Sequence, residues 1–192
     1  VARATLAVFV LGPCLAPRAH AHLAYDNFLP DGSFFRVGWS VLHTPLPGSF
    51  SIEQAESFVA WHSGTATRVT VALGHAHGAN RATLELRADE AGRVGRRVGR
   101  PCPVQTNPNS VGLPGAAASA PLAGLGWHLK AGRKYWLLAK GVRSSVHAWQ
   151  VNLSGAHGLR YVMDTREAFP WYGPGTQGTF RIELAPFAGQ FG

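Results

Sequence analysis

Apolar residues alternate with polar ones at a period of two along much of this chain, a pattern that suits layered β-sheets and little else. In the stretch 68–95, Val69, Val71 and Leu73 alternate with Thr70 and Ala72, and Leu84 and Leu86 alternate with Thr83, Glu85 and Arg87. Gly74, Gly78 and Asn80 supply turn residues between these two runs, so the stretch reads as a β-hairpin with a second turn over 89–95. Phe35, Val37 and Trp39 alternate in the same way, as do His147, Trp149, Val151 and Leu153, and then Phe180, Ile182 and Leu184. No amphipathic helix of useful length interrupts the series. The chain holds 23 glycines and 13 prolines against only 15% charged residues, which fits many short strands joined by loops. The expected fold is all-β, a two-sheet antiparallel β-sandwich of jelly-roll type. Its core should gather Leu84, Leu86, Tyr135, Leu137, Trp149, Val151, Phe180 and Ile182, with an acceptor for the Trp149 indole N–H.

The first 21 residues have the layout of a secretory leader. Arg3 gives the charged end, 6–11 the apolar run, and Ala19-His20-Ala21 the small-x-small cleavage pattern. Cleavage after Ala21 would start the mature domain, 22–192, at His22, with no membrane span in it and a secreted or cell-surface location. Pro13 and Pro17 argue against a spanning helix. Of the 2 cysteines, Cys14 departs with the leader, so Cys102 is left without a disulfide partner and reads as a packed thiol. The net charge of +8 comes mostly from arginines that are scattered, except for Arg93, Arg96, Arg97 and Arg100. No aromatic-basic motif of a nucleic-acid module accompanies them, so nucleic acid is not an expected partner.

Several motifs follow one another in a recognisable order: YDNF at 25–28, VGWSV at 37–41, VTVALGHAHGAN at 69–80 and LRADEAGRVG at 86–95. LKAGRKYWLLA at 129–139, AWQVN at 148–152 and GTFRIEL at 178–184 continue the series. In that order the chain resembles the bacterial choice-of-anchor domain family, most closely the type labelled R. The resemblance implies an exported β-sandwich domain, commonly held at the cell surface by a C-terminal sorting signal. After Leu184 the sequence runs APFAGQFG, without a sorting motif, so the expectation is either a released protein or a sequence cut short of its C-terminal end. The resemblance brings no catalytic residues with it.

Candidate sites are few. Trp171 and Tyr172 fall in a Pro/Gly-rich aromatic segment, 164–175, read as a loop, where exposed rings could stack on the apolar faces of sugars. The leading expectation is therefore a non-enzymatic extracellular binding or adhesion domain. It would act on polysaccharide or other envelope or matrix components and needs no cofactor. His75 and His77 have a spacing that places two imidazoles on one side of a regular strand, a candidate metal pair. The alternative is a secreted copper enzyme similar to the lytic polysaccharide monooxygenases, using His22 as an N-terminal ligand with His75, His128 or His157 as the second histidine. Among carboxylates, Asp164 and Glu167 stand beside Phe169, Trp171 and Tyr172, while Asp89-Glu90 reads as a turn and Glu53 and Glu56 as a solvated strand edge. No serine nucleophile motif or phosphate-binding glycine loop is present.

Overall fold

The structure, a computed structural model, describes residues 22–44, 50–113, 116–167 and 169–186. The expected leader lies outside these. Fourteen strands are formed among the described residues. The first five are β1 (His22–Asp26), β2 (Gly38–His43), β3 (Ser51–Val59), β4 (Gly64–Val71) and β5 (Leu73–Gly78). Then come β6 (Arg81–Glu90), β7 (Arg93–Gln105), β8 (Ala118–Pro121), β9 (His128–Leu129) and β10 (Lys134–Gly141). The last four are β11 (Ser145–Gln150), β12 (His157–Asp164), β13 (Trp171–Thr176) and β14 (Phe180–Leu184). Among the described residues, no helix is long and apolar enough to cross a membrane.

The strands form two antiparallel sheets, a β-sandwich. The smaller has the order β1-β14-β4-β8, with β9 also pairing to β4. The larger has the order β5-β11-β2-β3-β10-β6-β7, and the β12–β13 hairpin attaches to the other edge of β3. Between the sheets lies the main core. Leu84, Leu86, Tyr135, Leu137, Trp149, Phe180 and Ile182 all belong to it, as the alternation requires. Val151 does not. It sits just past β11 in an isolated bridge to Gly178 and is only partly buried, and Leu153 beyond it is exposed.

The expected hairpin is not one. Its two runs belong to different sheets: β4 pairs with β14 and β8, whereas β6 pairs with β10 and β7. The chain switches sheets at Ala72, whose N–H donates to the Thr179 carbonyl at 2.9 Å and whose carbonyl accepts from the Gln150 N–H at 2.8 Å. A continuous alternating run can serve both sheets because each presents its apolar face to the same core. The true hairpin is β6–β7, closed by Ala91 (φ 54°) and Gly92 (φ 80°). Both central residues are left-handed, the turn geometry that matches the twist of paired strands. As the prolines at 101 and 103 foreshadow, β7 is an edge strand.

Strand β10 is buried on both faces. Tyr135, Leu137 and Ala139 enter the main core, while Trp136 and Leu138 join Ala55 in a second cluster on the outer face, covered by Val94, Leu159, Tyr161 and Tyr172. The β12–β13 hairpin and the tip of β6–β7 close over it from either side. Through this outer cluster the β12–β13 hairpin is fixed, and with it the aromatic segment.

Candidate functional site

The site is built where β12 meets β3. Register pairs Arg160 with Glu56 and Val162 with Gln54, so Arg160, Glu56 and Gln54 share one side of the sheet. The Arg160 guanidinium donates from Nε to Glu56 Oε1 at 3.3 Å and from Nη2 to Gln54 Oε1 at 3.1 Å. Gln54 in turn donates to the Ser40 carbonyl at 3.1 Å, tying the group to β2. The Arg160 guanidinium carbon lies 3.6 Å from the centre of the Trp39 ring and 5.9 Å from that of Trp171. A cation stacked on indole faces is held by the ring quadrupole as well as by its hydrogen bonds to Glu56 and Gln54.

Glu56 is wholly buried, in contrast to the solvated edge expected from sequence. Its neighbours along β3 gave no sign of this, because the counter-charge comes from a residue 104 positions later. Burial pushes the Glu56 carboxyl up to about 8, with the Arg160 charge pulling the other way. Arg160 is lowered by burial, with Glu56 opposing. Glu56 Oε2 and Trp39 Nε1 find no partner among the described residues.

Beside Trp39 opens a cleft of ≈ 550 Å³, lined by Phe35, Val37, Trp39, Leu153, His157 and Thr176 among others. Phe35, Val37 and Leu153 are exposed at its rim. Asn152 shapes that rim. Its side-chain nitrogen donates to the Gln177 and Ala156 carbonyls at 2.9 Å, and its oxygen accepts from the Ala156 N–H at 2.9 Å, closing the short loop that carries Leu153.

The aromatic segment expected to be a loop is largely strand, and this separates its two rings. Trp171 pairs with Val162 and Tyr172 with Tyr161, so consecutive residues face opposite sides. Tyr172 packs edge-on against Trp136 (6.0 Å) and Tyr161 (5.2 Å) in the outer cluster, with the Arg93 guanidinium 5.9 Å above it. Trp171 is 50% exposed on the Arg160 side. Its ring leans over Gly173, where any Cβ would collide with the indole, and Gly175 leaves room for the Arg160 stem. The Pro/Gly richness that suggested a loop is what lets the strand bring Trp171 against Arg160. Trp39 and Arg160 were not among the sequence candidates. Trp39 reads from sequence as one position of an alternating strand, and the burial of an arginine depends on partners far along the chain.

The remaining candidates are dispersed. A β-bulge in β5 sets His75 opposite His147 and His77 opposite Val146, so His75 and His77 face different sides. His75 is buried, its Nδ1 accepting from the Asn109 N–H at 3.3 Å and its Nε2 lying 3.0 Å from the Gly78 carbonyl; His77 is exposed. His147 lies 5.5 Å from His75 between ring centres and 3.0 Å from the Arg81 carbonyl, and burial lowers its pKa. His128 lies 3.0 Å from Thr65 Oγ1, and His157 is at the cleft rim. His22 is exposed, and the histidine beside it is His62, 6.1 Å away between ring centres. Among the described residues no three His, Cys, Asp or Glu side chains converge as a metal-binding group. Cys102 is buried and its thiol is pushed up to about 11 by burial, which keeps it unreactive.

Asp164 forks onto Arg166, which holds its carboxyl low, and Glu53 meets Lys140 at 3.3 Å. Asp89 accepts from Trp136 Nε1 at 2.8 Å and from the Gly92 N–H at 3.0 Å, and Glu90 from the Arg96 N–H at 2.9 Å. These carboxylates brace turns and strands. A larger cleft of ≈ 840 Å³ is lined by Arg96, Lys130, Arg133 and Lys134 together with Asp89 and Glu90, and its rings are those of His128 and the buried Tyr135. The chain matches no protein-family model and no curated protein, so the site is read from its geometry.

Proposed function

We propose that this chain is an exported binding module of the choice-of-anchor kind, and that it binds polysaccharide of the envelope or matrix along the Trp171–Arg160–Trp39 surface and the adjoining cleft. The observation that carries the reading is the sequence of surfaces at that place. A half-exposed indole, Trp171, lies over the buried Arg160 guanidinium, and the second indole on that cation, Trp39, runs on into an apolar cleft edged by His157 and Thr176. Sugars have an apolar face and a rim of hydroxyls, so they need both a flat ring and fixed polar groups within one span. Phe169, two residues before Trp171, is a further exposed ring. The carboxylates at hand are engaged in ion pairs and turns, which favours binding over hydrolysis.

Affinity electrophoresis against a panel of soluble polysaccharides tests the reading. The expected result is retardation by at least one of them, reduced strongly in Trp171→Ala and in Trp39→Ala, and unchanged in Tyr172→Phe. Migration unaffected by every polysaccharide, or equal retardation of parent and Trp171→Ala, overturns it.

A further inference from the structure

Arg96, Lys130, Arg133 and Lys134 line the cleft of ≈ 840 Å³, and among the described residues no carboxylate forms an ion pair with any of them. By contrast, Arg87, Lys140, Arg160 and Arg181 each meet a carboxylate. Two acids do line the same cleft, but neutral donors hold them. Asp89 accepts from Trp136 Nε1 and from the Gly92 N–H on its two oxygens, and Glu90 Oε1 accepts from the Arg96 N–H. The Glu90 side chain also lies against Gly95, where any Cβ would collide with it. These cations are thus left without counter-charge around one concavity, and a cleft lined by one sign of charge focuses its field on a passing anion.

Three of the cations sit on fixed backbone, Lys130 and Arg133 in the turn before β10 and Lys134 as its first residue. In that turn the Lys130 N–H donates to the Tyr135 hydroxyl at 3.0 Å, the Ala131 N–H to Ser63 Oγ at 2.8 Å and the Gly132 N–H to the Ala60 carbonyl at 2.8 Å. Ser63 Oγ accepts there, so its own O–H is left to donate into the cleft it lines. The rings of the cleft are those of His128 and the buried Tyr135, so nucleic-acid bases would find no platform of aromatic faces. Charge beside a hydroxyl donor is the complement of a sugar that carries an acid group.

The cleft also adjoins the aromatic end of the molecule in two steps. Lys134 lines both it and a smaller cleft of ≈ 460 Å³, and His157 lines both that smaller cleft and the one beside Trp39. A polymer lying along the three would set sugar faces at Trp39 and acid groups at the cations. Resting on the reading of a polysaccharide ligand, we infer that the polymer is an acidic one, and that the cationic cleft is a second subsite for the carboxylate or sulfate groups of its sugars.

Titration calorimetry on the full chain tests this with polygalacturonate and alginate, each beside its carboxyl-reduced form, and with dextran sulfate beside dextran. At least one acidic polymer should bind at least about tenfold more tightly than its neutral counterpart, and its binding should weaken steeply toward about 1 M salt, where charges are screened within about 3 Å. Arg133→Glu and Lys130→Glu should each weaken that binding about tenfold, since an attraction becomes a repulsion. Arg143→Glu, the same change of charge at an exposed arginine outside the cleft, should bind like the parent. Thermal midpoints should show that all three variants are folded. Binding of neutral polysaccharides alone, through Trp171 and Trp39, overturns the acidic subsite and leaves the polysaccharide reading standing, whereas binding of no polysaccharide overturns both. Loss in Arg133→Glu without loss in Trp171→Ala keeps the cationic cleft and removes the aromatic surface. No loss in either cleft variant, equal loss in Arg143→Glu, or tighter binding of single-stranded DNA overturns the subsite.

Discussion

Trp39 and Trp149 are paired directly across β2 and β11 and face the same side, yet their surroundings differ. Trp149 is fully buried. Its N–H donates to the Thr179 carbonyl at 3.1 Å, and its ring meets Phe180 edge-on at 6.0 Å. Trp39, one strand over, is partly buried, has no partner for its N–H among the described residues, and lies on a guanidinium rather than a hydrocarbon. The difference comes from what lies opposite. Trp149 faces β14 of the other sheet, whose alternation delivers Phe180 and Ile182. Trp39 faces the end of the sandwich, where β12 delivers Arg160 in place of an apolar side chain. Sheet packing ends there, and the cleft beside Trp39 begins.

The sharpest way to break this contrast is Trp149→Ala. Truncating a closed aromatic core residue should lower stability by about 3–5 kcal/mol, a large share of what holds an ordinary domain together. Denaturant unfolding checks it, and a mutant as stable as the parent would place Trp149 on the same footing as Trp39.

Trp39→Ala should lose less, about 1–3 kcal/mol, since it gives up a cation stack and partial burial but opens no sealed cavity. The same unfolding experiment reads it. A loss equal to that of Trp149→Ala would make Trp39 a core residue and remove it from the proposed surface.

The polar end should also respond to pH where the apolar core does not. The Glu56 carboxyl titrates near 4.5 when unfolded and about 8 in the fold, so the native state holds the proton more tightly. Its contribution to stability is full below about pH 4.5, declines as pH rises through that window, and levels off above about 8. Glu56→Gln should abolish this decline, so that the mutant gains on the parent as pH rises from 5 to 8. Thermal midpoints across that range measure it, and parallel curves for the two proteins would mean that Arg160 keeps Glu56 ionised throughout.

The smallest effect on stability belongs to Trp171→Ala, within about 0.5 kcal/mol, because its ring is half in solvent. A much larger loss would show that Trp171 seals Arg160 rather than presenting a surface.

Much of the fold was legible because strand alternation is local. The inward residues of β14 and the two-sided burial of β10 can be read from a handful of neighbours, since a shift of one residue would bury Arg181 and Glu183 in place of Phe180 and Ile182. Which strands pair is not local. Val69 and Leu84 read as partners but lie in different sheets, since the turn residues between them serve a change of sheet rather than a hairpin. The site was legible only in part. Trp171 stood out by its surroundings, but its separation from Tyr172 followed from a strand that Gly173 and Gly175 permit. Glu56 read as solvated because nothing near it in sequence is a cation. Its burial, like the stacking of Trp39, was decided when distant segments met. Alternation determines which face of a strand is apolar. Only the tertiary structure determines what arrives opposite that face, because the energy of a buried charge or an open ring depends on partners that the neighbouring residues do not name.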